Sequence, residues 1–221
     1  MANNKLLILG ATSDTGRLIV RRALELGWRV TVYGRRTLSE HAENPDIRTV
    51  EGALDDEAQL RTAIHGQDVI ISVIGPSTPS APAGIFVPAY KLILSLMKRE
   101  KVRRILALST FSVHDARDRP SLVRWLLTTV VWAIAHAAWQ AVVGVGEVFD
   151  AEDGGDLDWT LFRVGLLGDA GIPRGRVVEG YVADGTLGHY VRRADIAEWT
   201  LAQAEKDPPE HVRAKPGISS V

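Results

Sequence analysis

Lys5-Leu6-Leu7-Ile8-Leu9-Gly10-Ala11-Thr12-Ser13-Asp14-Thr15-Gly16 is the stretch whose pattern decides the fold. Lys5 to Leu9 is a short apolar run stopped by glycine, as in a strand buried on both faces of a parallel sheet. Beyond it, Leu18, Ile19, Ala23, Leu24 and Leu26 recur at helical spacing, and Gly27 closes the helix. Gly10 permits a tight strand-to-helix turn, and Gly16 lets the helix approach the sheet closely. The helix amino terminus, with its free backbone N–H groups, then faces a pyrophosphate. A pair of glycines alone is weak, but a strand before and a helix after supply the required context. Gly10, Thr12, Ser13, Asp14, Thr15 and Gly16 are therefore the first set of cofactor-binding residues.

Outward from this turn, strands and helices alternate. Strands are expected at Arg29–Tyr33, Ile47–Val50, Asp68–Ile74, Arg103–Ser109 and Asp158–Val164. Helices are expected from Asp55-Asp56 to Ile64, over Val87–Lys101, and over Ala194–Ala204. Gly75 to Pro88, with four prolines, reads as a loop, and Asp153-Gly154-Gly155-Asp156 as a turn. Helices of ten to fifteen residues between strands argue for βαβ units. The expectation is one α/β domain over residues 1–221, a doubly wound parallel sheet of Rossmann type. Its ligand crevice lies at the carboxyl ends of the strands.

Arg35-Arg36 directly follows the second strand, where a dinucleotide fold meets the adenosine ribose. An acidic residue there favours NAD, whereas a guanidinium fork suits a 2′-phosphate. The nearest carboxylate, Glu40, lies past the basic pair, so NADP(H) is the expected cofactor, with Arg35 as its main contact.

The 221 residues are 46% apolar and 24% charged, with a net charge of -1. That balance gives no electrostatic reason to expect nucleic acid as a partner. With no cysteine there is no disulfide, thiol nucleophile or thiolate metal site, which suits a cytoplasmic setting; no metal cluster pattern stands out. No secretory leader precedes the first strand. Leu122 to Val145 is strongly apolar, and its length approaches the roughly 20 residues of a spanning helix. Arg124, His136 and Gln140 interrupt it, and more strand and helix of the same domain follow. It reads as a buried or dimer-forming helix over 121–145 rather than a stable membrane insertion. Trp125, Trp132 and Trp139 recur every seven residues, on one helix face, as a core wall, a homodimer contact or an apolar substrate pocket.

Several of these segments resemble the NmrA-like, atypical short-chain dehydrogenase/reductases, a group that includes biliverdin-IXβ reductase-like proteins. The likeness rests on Gly10-Ala11-Thr12 with Gly16, Tyr33-Gly34-Arg35, Asp68-Val69-Ile70-Ile71-Ser72, Leu157-Asp158-Trp159-Thr160 with Arg163, and Arg193-Ala194-Asp195-Ile196-Ala197. It implies an NADP(H)-bound Rossmann domain with a small carboxyl-terminal substrate lobe. By position it places Leu54 and the Val73-Ile74-Gly75 backbone on the adenosine side. Ser109, Thr110 and Phe111 fall near the nicotinamide, and Val164-Gly165 closes it from the other side. Two positions depart from the family pattern. Ser13 stands where the family usually has glycine, and Ala53 where it often has an aspartate that meets the adenine.

Catalysis is less legible. Short-chain dehydrogenases use a Tyr-x-x-x-Lys pair on the helix after strand five, and residues 121–149 contain neither tyrosine nor lysine. Tyr90-Lys91 lies on the preceding helix at the wrong spacing. A proton could instead come from solvent, from Ser109, or from His114 or His136; Glu147 reads as structural or solvent-facing. Three functions stay open. One is an NADPH-dependent reductase of a small apolar or aromatic substrate. The others are a non-redox isomerase or cyclase of secondary metabolism that keeps the cofactor as structure, and an NADP(H)-sensing regulator.

Overall fold

A computed structural model describes residues 4–36, 44–76, 83–152, 155–168 and 176–221. In chain order the elements are β1 (Lys5–Leu9), α1 (Asp14–Glu25), β2 (Arg29–Gly34), β3 (Ile47–Glu51), α2 (Glu57–Ile64), β4 (Val69–Ser72), α3 (Phe86–Glu100) and β5 (Arg104–Thr110). There follow α4 (Leu122–Ile134), α5 (His136–Asp150), β6 (Asp158–Val164), β7 (Leu166–Gly168), β8 (Val177–Gly180), β9 (Tyr190–Arg192), α6 (Arg193–Ala204) and β10 (Gly217–Ser220). Eight strands form one sheet in the order β3-β2-β1-β4-β5-β6-β10-β8, parallel except where β8 runs against β10.

The apolar run of β1 is continuous because both of its faces are covered. Leu6 and Ile8 pack with Ile19, Val20, Phe162 and Trp199 on the side of α1 and α6. Leu7 and Leu9 point the other way, into a core with Leu60, Ile93, Leu96 and Phe149 from α2, α3 and α5. The chain leaves β1 toward β2 and β3, then returns to β4 on the other side of β1. That reversal opens a crevice at the carboxyl ends of β1 and β4, the place where doubly wound sheets bind ligands.

Several segments differ from the sequence expectation. β4 stops at Ser72, so Val73 and Ile74 are loop and face the crevice. The strands β7, β8, β9 and β10 are three or four residues long, too short for a periodic signal, and carry charged or glycine residues. The expected carboxyl-terminal lobe takes the form of the β7–β9 ribbon, while β8 and β10 extend the main sheet. Residues 77–82 of the proline-rich loop, Asp153-Gly154 of the expected turn, and Glu40 lie outside the described residues.

The expected single helix over 121–145 is two helices, α4 and α5, bent by 120° at Ala135. Neither glycine nor proline stands at the break, so the apolar pattern runs through it unmarked. The β-branched run Thr128–Val131 lowers helix propensity just before it. The His136 ring braces the corner, edge-on to Trp132 with ring centroids 5.4 Å apart and stacked on Trp139 at 5.9 Å. The bend removes the common face of the three tryptophans. Trp125 and Trp132 are 65% and 50% exposed, so they are no core wall. α5 continues through Gly144 and Gly146 to Asp150 and packs on α3. No single helix among the described residues is long and apolar enough to cross a membrane.

The loop from β5 to α4 is held by a buried ion pair. Arg163 of β6 donates from both terminal nitrogens to Asp118, at 2.6 and 2.9 Å, and its side chain is fully buried. Nε of Arg163 donates to the Lys215 carbonyl, and Nη1 also to the Val113 carbonyl. Asp118 accepts in addition from the backbone N–H groups of Asp115 and Val182. Burial alone pushes the Asp118 carboxyl up, but the Arg163 fork and these N–H donors outweigh it and hold it below the ordinary aspartate range.

Candidate functional site

The turn after β1 has the geometry the motif demands. Gly10 sits at φ +88°, and a side chain there would meet the Val73 carbonyl carbon at 3.0 Å. At Gly16 a Cβ would lie 2.2 Å from the Gly10 carbonyl oxygen, so the first turn of α1 rests directly on the strand end. Ser13, in the place of the family glycine, is the amino-terminal cap of α1. Its hydroxyl donates to the Gly10 carbonyl at 2.8 Å and accepts from the Gly16 N–H at 3.0 Å. That hydroxyl is thus committed to the turn. Helix geometry leaves the N–H groups of Asp14 and Thr15 for an anion at this end of α1.

Two cavities meet along Ser13, Val73, Ile74 and Gly75. The first, about 790 Å³, runs over β2 and holds the adenosine-side expectations together: Gly10, Thr12, Arg35, Arg36 and Leu54 line it. Its wall is fixed by Tyr33, whose hydroxyl donates to the Ala53 carbonyl at 2.5 Å. Burial raises that phenol to about 12, which keeps it a donor. At the position of the family aspartate stands Ala53, while Leu54 and Asp55 beside it also line the groove. At Gly75 a Cβ would meet nothing within 4 Å, so the loop backbone faces open groove.

The second cavity, about 370 Å³, lies over the carboxyl ends of β4, β5 and β6. Asp14 and Thr15 stand at one end of it, Ser109 and Thr110 at its floor, and Val164 and Gly165 opposite. Phe111 is buried just beyond: its N–H donates to the Val164 carbonyl and its own carbonyl accepts from Arg124 Nε at 2.9 Å. The Ser109 hydroxyl is buried without a hydrogen-bond partner among the described residues. A buried orphan hydroxyl costs free energy unless a ligand meets it. Together with the Gly10–Gly16 cradle and the open Gly75 backbone, it fits a dinucleotide lying from β2 to β5 with its reactive end at Ser109.

The two histidines fall elsewhere. His114 is exposed and lines a separate cavity beside α4, and His136 is exposed in the tryptophan stack at Ala135. Neither lines the cavity that holds Ser109. Glu147 is exposed on α5. Sequence reasoning missed other walls. Tyr90, set aside for its spacing, is buried on α3 and lines the Ser109 cavity, its hydroxyl 2.8 Å from that of Ser72. Burial pushes its phenol far up, so it stays protonated. Phe86, Ala141, Val142 and Val145 make the cavity apolar, and Arg193 closes one side. An i, i+4 apolar pattern on α5 was legible; which face met the cavity depended on the bend.

Known proteins are similar to this chain in sequence and in fold. A family profile described as NAD(P)H-binding matches residues 10–207. The chain is 26% identical over 203 residues to a photosystem II assembly factor of Cyanophora paradoxa, covering 89% of this chain and 58% of that protein. Over 84 residues it is 32% identical to a phenylcoumaran benzylic ether reductase of Ginkgo biloba, covering 34% of this chain and 28% of that one. The chain therefore spans well under two thirds of either relative. Among solved structures, a short-chain dehydrogenase/reductase of Veillonella parvula in complex with NADP superposes with a TM-score of 0.76 at 16% identity, covering 98% of this chain and 94% of that one. An anaerobillin reductase of Escherichia coli gives 0.74 at 17%, covering 98% and 97%. At these identities the structural likeness speaks for the fold.

Proposed function

Because the chain belongs to the NAD(P)H-binding family, we propose that it is an NADPH-dependent reductase of a small apolar or aromatic carbonyl or enone. The orphan hydroxyl of Ser109, on the floor of an apolar cavity continuous with the nucleotide groove, carries the reading. A bound nicotinamide supplies the hydride. The Asp14 and Thr15 N–H groups would hold its pyrophosphate, and Arg35 with Arg36 would receive a 2′-phosphate, favouring NADPH over NADH.

This chain's own residues then bind and orient the substrate. Phe86, Val142 and Val145 exclude water and select apolar substrates. Ser109 Oγ donates a hydrogen bond to the substrate oxygen and so orients and polarises it, while the proton that completes the reduction comes from solvent. Tyr90, kept neutral and tied to Ser72, fixes the cavity wall beside it.

The test is NADPH consumption, followed by absorbance, across a panel of apolar ketones, enones and aromatic carbonyls. One NADPH oxidised per product supports the reading, with Ser109→Ala lowering kcat by about 10²-fold at little change in KM. Product formed with no change in cofactor absorbance would replace it with the isomerase or cyclase reading.

A further inference from the structure

α4 is the one helix among the described helices with no buried residue, although its sequence, Leu-Val-Arg-Trp-Leu-Leu-Thr-Thr-Val-Val-Trp-Ala-Ile, is the most apolar of all. At about 100° per residue, its exposed side chains sweep about 260° of the circumference, from Trp132 through Leu122 and Ile134 to Val131. Thr129 is the only polar residue in that arc, and no charge falls in it. The helix's single charge, Arg124, points inward, donating to the Phe111 carbonyl. Leu122 is 85% exposed, Ile134 70%, Trp125 65% and Leu126 57%.

What covers such a helix is constrained by its shape and by its surroundings. A second copy packed along α4 would cover a stripe of roughly 100°, leaving more than half of the arc in water. A medium that wraps the helix covers all of it. Length and apolarity let α4 and α5 pass for a span only as a bent pair, but α5 is buried against α3; α4 by itself, with 13 residues, is too short to cross a bilayer and long enough to lie in its surface.

Charge at the root of the helix agrees. A cavity of about 660 Å³ opens there between the two helices, lined by Ser112, His114, Arg119, Arg124, Trp125 and Trp139. The carboxylate that also borders it, Asp118, is spent on Arg163, and Asp115 is held by Arg117. The exposed charged side chains of this loop are Arg117 and Arg119, and from Arg119 to Val145 the chain has no acidic residue. Cations, hydroxyls and indoles beside an apolar helix suit the phosphates and acyl boundary of an anionic bilayer.

We propose that α4 docks this protein on an anionic lipid surface, the helix lying in the headgroup–acyl boundary and the exposed Arg119 facing lipid phosphates. The docking claim stands on α4 alone and holds whether or not the reductase reading does.

The test is sedimentation of the full chain with vesicles of phosphatidylcholine alone and of phosphatidylcholine with phosphatidylglycerol, alongside analytical ultracentrifugation without lipid. The expected result is binding that rises at least tenfold with the anionic lipid and falls with salt. Trp125→Ser with Leu126→Ser should weaken it at least tenfold, and Arg119→Glu should remove the preference for anionic vesicles. Those residues are exposed, so far-UV circular dichroism and melting should stay as in the unaltered chain. No sedimentation with either vesicle, or binding that the α4 variants leave unchanged, would overturn the proposal. So would a dimer that the same variants abolish, with no vesicle binding, since a second copy would then be the occupant.

Discussion

The amino-terminal half, β1 through α3, and the segment from Phe111 through α4 are both rich in apolar residues but use them in opposite ways. In the first, the apolar residues vanish into two cores on the faces of the sheet. In the second, α4 holds its apolar residues outward, and the loop before it is ordered by a polar fork, Arg163 on Asp118. An apolar run thus says that a segment avoids water; it does not say what the segment meets instead. In β1 the partner is this chain, and the burial sets the glycine turn at the carboxyl end of the strand, against the start of α1.

The comparison breaks first at the fork. Asp118→Ala leaves Arg163 buried and unpaired and should cost about 3–5 kcal/mol in urea unfolding. A loss under 1 kcal/mol would mean that the loop holds itself and the polar anchoring of the second region is illusory. In the first region, Leu96→Ala on α3 empties a fully buried site and should cost about 2–5 kcal/mol.

Gly16→Ala places a methyl against the Gly10 carbonyl oxygen. We expect a loss of about 1–3 kcal/mol and of nucleotide binding together, measured by melting with and without NADPH. Retained binding would show that the turn can open without consequence.

A smaller effect is expected at the far edge of the sheet. His211 donates to Glu179 at 2.6 Å, and with Trp199 it holds that carboxyl at about 2, against an ordinary 4.5. A depressed carboxyl contributes stability above its unfolded value and loses it as pH falls from about 4.5 toward 2. Glu179 is a third exposed, so solvent screening reduces the effect to about 1 kcal/mol. Unfolding of Glu179→Gln should therefore differ from that of the unaltered chain at neutral pH and converge with it as pH falls toward about 2. Smallest of all, Leu126→Ser on α4 should change stability in water by less than about 0.5 kcal/mol, since that side chain covers nothing. A loss like that at Leu96 would erase the distinction between the two regions.

What was legible in the sequence follows the same division. The strand–turn–helix at residues 5–26, the strands β1 to β6 and the basic pair after β2 are local patterns, and each stands in the structure where the chain order puts it. The bend at Ala135 was not legible, because no glycine or proline marks it and its brace, the His136 stack, is an arrangement of side chains in space. The role of Ser13 in capping α1 depends on its hydroxyl's two bonds, which the family glycine could not make. Tyr90 was discounted because it lies on α3, but the parallel sheet brings α3 and the end of β5 to one cavity.

The central claim is that the groove from Arg35 to Ser109 holds NADPH, and fluorescence titration of the purified chain with NADPH and NADH tests it most directly. The account predicts tight NADPH binding, weaker NADH binding, and at least a tenfold loss for NADPH alone in Arg35→Ala. Equal affinity for the two nucleotides, unchanged in Arg35→Ala, would contradict it.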